Sequence, residues 1–181
     1  MKGKANGYWS KRLELLTENR NRTMRDAINK AARKVINHWL LNKMGTVVFG
    51  WNAGMKNGID LGNKTNQNFV QIPTGRLKSR IAQLCEQYGI RFVETEESYT
   101  SNASFVDLDL LPKYCEKPEG WESSGQRVKR GLYRTLEGLL INADCNGAGN
   151  IGRKVAATLG ICLKEVSRGA LITPLKVLLW S

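Results

Sequence analysis

Asp144 is the only carboxylate in residues 139–155, LLINADCNGAGNIGRKV, and its setting suits a ligand for a hard cation such as magnesium. The apolar run Leu139, Leu140 and Ile141 leads out of a core, Asn142 offers a helix N-cap, and a segment ending in Arg153 and Lys154 reads as the helix it opens. Asp144 then falls in the first turn, where the helix dipole favours negative charge. Gly147, Gly149 and Gly152 each cost a helix about 1 kcal/mol relative to alanine. Their presence predicts close approach by another backbone or by a nucleic-acid strand. On residues alone, the same string also reads as an ordinary helix start in which Asp144 serves the cap.

The elements that must position this stretch can be read from periodicity. In residues 10–42 Leu13, Leu16, Met24, Ile28, Ala31, Val35 and Trp39 recur at three- and four-residue steps, predicting one long helix, or two with a seam near Thr23 where Thr23 and Asp26 form a capping box. Its other face carries Lys11, Arg12, Arg20, Arg22, Arg25, Lys30, Arg33 and Lys34, either a solvated face or a line of phosphate contacts. His38, beside Trp39, reads as a packed helix residue without a catalytic role. TVVFGW, residues 46–51, reads as a buried strand and is followed by a polar loop. A second helix starts at Pro73 or Thr74 and ends at Gly89, and residues 90–95 form the next strand. Residues 107–125 are loop-rich. Residues 126–134, QRVKRGLYR, form a basic arm, read as an antiparallel strand gripping phosphates through Arg127, Lys129, Arg130 and Arg134. Residues 1–9 read as a disordered lead-in, and residues 161–181 as a tail that packs back on the core or hangs loose.

Composition narrows the class. Among 181 residues, 41% are hydrophobic, enough for one sizeable core, and 28 Lys and Arg against 16 Asp and Glu give a net charge of +12. Such an excess points first to nucleic acid. The opening MKGKANGYWSKR lacks an apolar signal region, and no apolar run approaches the roughly 20 residues of a membrane span, so the expected location is cytoplasmic and nucleoid-associated. Cys85, Cys115, Cys145 and Cys162 include no CxxC and read as reduced thiols, so no zinc is expected.

INADCNGAGNI resembles the third RuvC motif of the TnpB family, RNA-guided nucleases of bacterial insertion sequences related to type V CRISPR effectors. The likeness extends along the chain: RLELLTENRNRTMRDAINKAARKVINHWL resembles the family's basic helix, GTVVFGWNAGMKNG the strand after it, and IPTGRLKSRIAQLCEQYGIRFVETEESYTS its helix, strand and YTS turn. It implies an α/β, RNase H-like (RuvC-like) fold, incomplete here because the N-terminal strands are lacking, over residues 10–160. It also implies a guide RNA and a target DNA as partners, and Mg²⁺ held by carboxylates as cofactor.

Three departures bear on chemistry. The strand carrying the family's first catalytic Asp should precede the long helix, and only nine residues do. Asp60, in GIDLG, follows the TVVFGW strand and so reads as a loop residue rather than its substitute. Typical members end that strand with a Glu, whereas Gly50 stands here; Glu96 and Glu97, one strand over, resemble the relocated glutamate of a family branch, and adjacent strands about 5 Å apart let a carboxylate reach the same cation. Only one of the two should point at Asp144, since neighbours in a strand face opposite ways. Where the family places a CxxC, Asn102, Ala103, Ser104 and Phe105 stand, so residues 101–125 read as a degenerate zinc-ribbon insert.

The resulting expectation is the C-terminal portion of a TnpB-type endonuclease that does not cleave alone, completed by a separate N-terminal half or a dimer mate. The alternatives are a non-catalytic nucleic-acid binder and a degenerate mobile-element remnant.

Overall fold

The structure, a computed structural model, describes residues 10–52, 73–163 and 166–174. The lead-in at 1–9, Asp60 with its loop, and the tail from residue 175 lie outside the described residues. The chain forms two compact units, one from residues 1–44, 73–89 and 178–181, the other from residues 45–72 and 90–177.

In the first unit α1 (Lys11–Leu41) packs on α2 (Thr74–Gln87). Ser10 opens α1 by accepting a hydrogen bond at Oγ from Leu13 N at 3.2 Å. The seam near Thr23 is not there: α1 runs unbroken for 31 residues. Instead of capping a new helix, the Thr23 hydroxyl turns back onto the Asn19 carbonyl at 2.9 Å, and Asp26 pairs with Lys30 at 3.0 Å one turn on. Both are four-residue contacts that only a continuous helix brings into reach. No residue of the predicted stripe is fully buried: the buried positions of α1 are Ala32 and Ile36, one residue on from Ala31 and Val35, while Leu13 and Leu16 remain 43% and 57% exposed. On α2, Ile81, Leu84 and Cys85 are buried.

In the second unit β1 (Thr46–Gly50) and β2 (Arg91–Thr95) pair in parallel, Thr46 opposite Arg91 and Gly50 opposite Thr95. A separate antiparallel sheet has the order β3 (Gln126–Lys129), β4 (Leu132–Arg134), β5 (Leu140–Asn142). The helix α3 (Ala143–Leu159) leaves β5 with no loop between them and contacts strands of both sheets. A core of Phe105, Tyr133, Ile141, Ala143 and Leu171 is closed by α4 (Arg168–Ile172), so this part of the tail packs back. The chain is therefore mixed α/β with two small sheets, and α3 is the element that ties them. No described helix is long and apolar enough to cross a membrane.

Candidate functional site

Asn142 ends β5 in an extended conformation and caps α3, its Oδ1 accepting from Asp144 N at 2.9 Å and Cys145 N at 3.0 Å. Asp144 is thereby set, exposed, in the first turn, next to the positive end of the helix. Asp144, Gly147 and Ile151 follow one another at helical spacing on one side of α3. That side meets β1 and the turn after β2: a Cβ built at Gly147 would lie 4.0 Å from the Thr100 carbonyl oxygen, and one at Gly50 would lie 2.6 Å from Ile151 Cδ1 and 3.1 Å from Glu97 Oε2. The Glu97 carboxylate thus lies beside the space that a side chain at position 50 would enter. Ile151 is two turns, about 10 Å along the axis, from Asp144. The Glu97 carboxylate therefore lies toward the side of the helix that Asp144 opens.

Glu96 and Glu97 differ in environment, although not through the alternation of a strand, because β2 ends at Thr95. The Glu96 carboxylate pairs with Lys154 and accepts from Ser98 N at 2.9 Å. Burial works to raise its pKa, but Lys154 and Ser98 outweigh it and hold the carboxyl below the ordinary range. Glu97 has no such cation among the described residues. Its backbone N–H donates to Asn52 Oδ1 at 3.0 Å, and burial, reinforced by the charge of Glu96, pushes its carboxyl above the ordinary value of 4.5.

A carboxyl raised by folding favours the folded state while protonated. That contribution is complete below the unfolded pKa and is lost as pH rises through the folded value. Glu97→Gln, neutral throughout, is expected to melt with the wild type near pH 4 and above it at pH 7. Melting curves at the two values check this, and a variant no more stable than wild type at pH 7 rejects it.

Ser98 is 9% exposed and its hydroxyl is buried without a partner, next to Glu97. An orphan hydroxyl, a carboxylate without a cation and an exposed carboxylate at a helix start are hard oxygen donors of the kind Mg²⁺ takes. Yet among the described residues no three His, Cys, Asp or Glu side chains come together in a metal-binding group. The donor set falls short of a two-metal centre.

Two asparagines that the sequence does not single out hold this region together. Asn146 and Asn150, both fully buried, lie one turn apart on α3. Asn146 accepts from Phe105 N at 2.9 Å and donates to the Ala103 carbonyl at 2.8 Å; Asn150 donates to the carbonyls of Thr100 and Ala103 at 3.0 and 2.8 Å. Arg153 reaches the Asp109 carbonyl at 2.8 Å, and Lys154 the Pro112 carbonyl at 3.1 Å. The legible signal was a pair of Asn residues four apart in a helix, where their propensity is poor and only tertiary bonds compensate. Gly149 is explained likewise. A Cβ there would lie 2.7 Å from the Phe105 ring, so an aromatic side chain, rather than a backbone or a nucleic acid, makes the close approach.

In the insert after the YTS turn, two carboxylates just past Asn102, Ala103, Ser104 and Phe105 organise the loop. Asp109 accepts from Ser104 N at 2.6 Å and from Ser124 N at 3.1 Å, while Asp107 accepts from the Ser104 hydroxyl at 2.5 Å and Leu136 N at 2.9 Å. Tyr133 is fully buried beneath them, its hydroxyl donating to the Asn102 carbonyl at 2.7 Å. Burial and then the charge of Asp109 push its pKa to about 12, so it stays a donor.

The predicted phosphate contacts separate. Arg22 and Arg25 are exposed on α1, and so is Lys34. Arg33 is half-buried and engaged, donating to the Tyr88 hydroxyl at 2.7 Å with its guanidinium 5.4 Å from that ring. The basic arm is a hairpin rather than a single strand. Arg127, Lys129, Arg130 and Arg134 are all exposed on it, but a register shift between Arg127 and Lys129 sets Arg127 opposite Tyr133 and Lys129 opposite Leu132. The bulge turns the two cations to opposite faces, since Tyr133 and Leu132 alternate.

No protein-family model and no curated protein matches this chain. Among solved structures it is similar in fold to Cas12f1 in a complex with sgRNA and target DNA, with a TM-score of 0.52 and 21% sequence identity over 78% of this chain. The chain spans 36% of the length of that protein.

Proposed function

We propose that this chain is the C-terminal, RuvC-like portion of a TnpB-type RNA-guided DNA endonuclease of an insertion sequence, working in the nucleoid-bearing cytoplasm on guide RNA and target DNA. The observation that carries the reading is the position of the Glu97 carboxylate beside Gly50, on the side of α3 that Asp144 opens. Glu97 and Asp144 are the residues assigned to Mg²⁺, which would stabilise charge on a phosphodiester oxygen when bound. Glu96, engaged by Lys154, holds α3 against the end of β2 and so keeps Glu97 in place. The fold shared with Cas12f1, found with sgRNA and target DNA, supports nucleic acid as the partner. The net charge of +12 supports it independently.

A further carboxylate, which the described residues do not bring to this side of α3, is assigned to a separate N-terminal half or to a dimer mate. The absence of a three-acid group among the described residues favours one second reading, a non-catalytic nucleic-acid binder, with a degenerate mobile-element remnant as its limiting case. Both binding readings require affinity for RNA and DNA that falls steeply with salt. With several phosphate contacts, a fluorescence-anisotropy titration should show at least about a hundredfold weakening between 50 and 200 mM salt. A flat salt response, or no binding at 50 mM, rejects nucleic acid as the partner.

A further inference from the structure

We infer that a phosphodiester strand runs along the groove between α1 and α2, held by Arg22, Arg25, Arg76 and Arg80. This rests on the nucleic-acid reading above and adds a path and two α2 arginines that the basic face of α1 does not contain. Three hollows share Arg25: those of about 340 and 430 Å³ are lined from both helices and include Arg76, and one of about 450 Å³ is lined by α1 alone; Arg22 lines the last two. Two acids lie at the rim, Glu18 and Asp26, and Asp26 is already paired with Lys30 at 3.0 Å. Arg80 donates from Nη1 to Gln83 Oε1 at 3.1 Å, while its Nε is buried with no acceptor.

Arginines three and four residues apart stand about 4.5 and 6 Å along their helices. Two such pairs on facing walls make a ladder of cations, which suits a polymer with a charge at every repeat better than a single anion. Of the neutral lining residues, Asn29, Ser79 and Gln83 offer hydrogen bonds beside the apolar Ile28.

The test uses the full chain and labelled single-stranded RNA and DNA of one sequence, about 20 nucleotides long, titrated by fluorescence anisotropy across salt concentrations. R76Q/R80Q should weaken binding at least tenfold and reduce the slope of log affinity against log salt by about 1.4, two contacts at about 0.7 each. R22Q/R25Q should do the same. R76K/R80K should keep most of the slope, and R91Q/K113Q, which removes equal charge from exposed positions elsewhere, should act on affinity far less. Thermal melts of each variant confirm that the helices stand, and the RNA and DNA arms identify the strand. If wild type binds and R76Q/R80Q cannot be told from R91Q/K113Q, the groove is overturned while the nucleic-acid reading survives. If wild type binds neither strand, both fall. An acidic peptide that competes as well as RNA overturns the groove's specificity for a phosphodiester.

Discussion

Mixed with Mg²⁺ and labelled single-stranded DNA, this chain alone is expected to cut no faster than buffer, and, on the proposed function, a fragment carrying the first-strand aspartate of a TnpB-type nuclease should raise cutting at least about a thousandfold. Two-metal hydrolysis needs carboxylates that hold two cations about 3.5 to 4 Å apart. The described residues bring no three acidic, His or Cys side chains together. Among the described residues, a third carboxylate on a neighbouring strand is what such a centre lacks. In the reconstituted mixture Asp144→Asn and Glu97→Gln should return cutting to background without weakening DNA binding, since both remove negative charge. A denaturing gel reads the result. Efficient cutting by the chain alone rejects the incomplete-site reading, and rescue that survives Asp144→Asn removes Asp144 from the chemistry.

Asn146→Ala is expected to lower the melting temperature by roughly 6 to 12 °C, the equivalent of about 3 kcal/mol in a chain of this size. The truncation strands Phe105 N, whose only hydrogen bond among the described residues is to Asn146 Oδ1, and removes from the Ala103 carbonyl a donor that it shares with Asn150. A buried polar group without a partner costs about 1 to 3 kcal/mol, and the space left behind adds to it. Asn146→Asp keeps an acceptor for Phe105 N but turns a carboxylate oxygen toward the Ala103 carbonyl, so it should be no better tolerated. A fall of less than about 2 °C in the alanine variant would show that these bonds do not anchor the turn to the helix. The same staple orders residues 100–105, directly after Glu97, so loosening it should also reduce rescued cutting.

Much of this architecture was legible one residue window at a time. The long helix followed from its apolar spacing, and its missing seam follows from Thr23 and Asp26 each finding a partner four residues away. The Asn142 cap and the place of Asp144 in the first turn depend only on the residues they touch. What was read less well had partners distant in the chain. Gly149 makes room for Phe105, Arg33 leans on Tyr88, and the hairpin bulge that parts Arg127 from Lys129 comes from pairing with β4.

By itself, then, the order of residues determined the elements, the excess of positive charge and the carboxylate at the start of α3, because caps, periodicity and composition act within a turn or over the chain as a whole. Only the folded chain decided which glutamate meets a cation among the described residues and which does not. Lys154, 58 residues from Glu96, chooses it as partner, and Glu97 is left beside Gly50 in a partly desolvated position. Two adjacent residues of one type carry the same local signal, and the electrostatic difference between them exists only once a distant cation has been brought to one and withheld from the other.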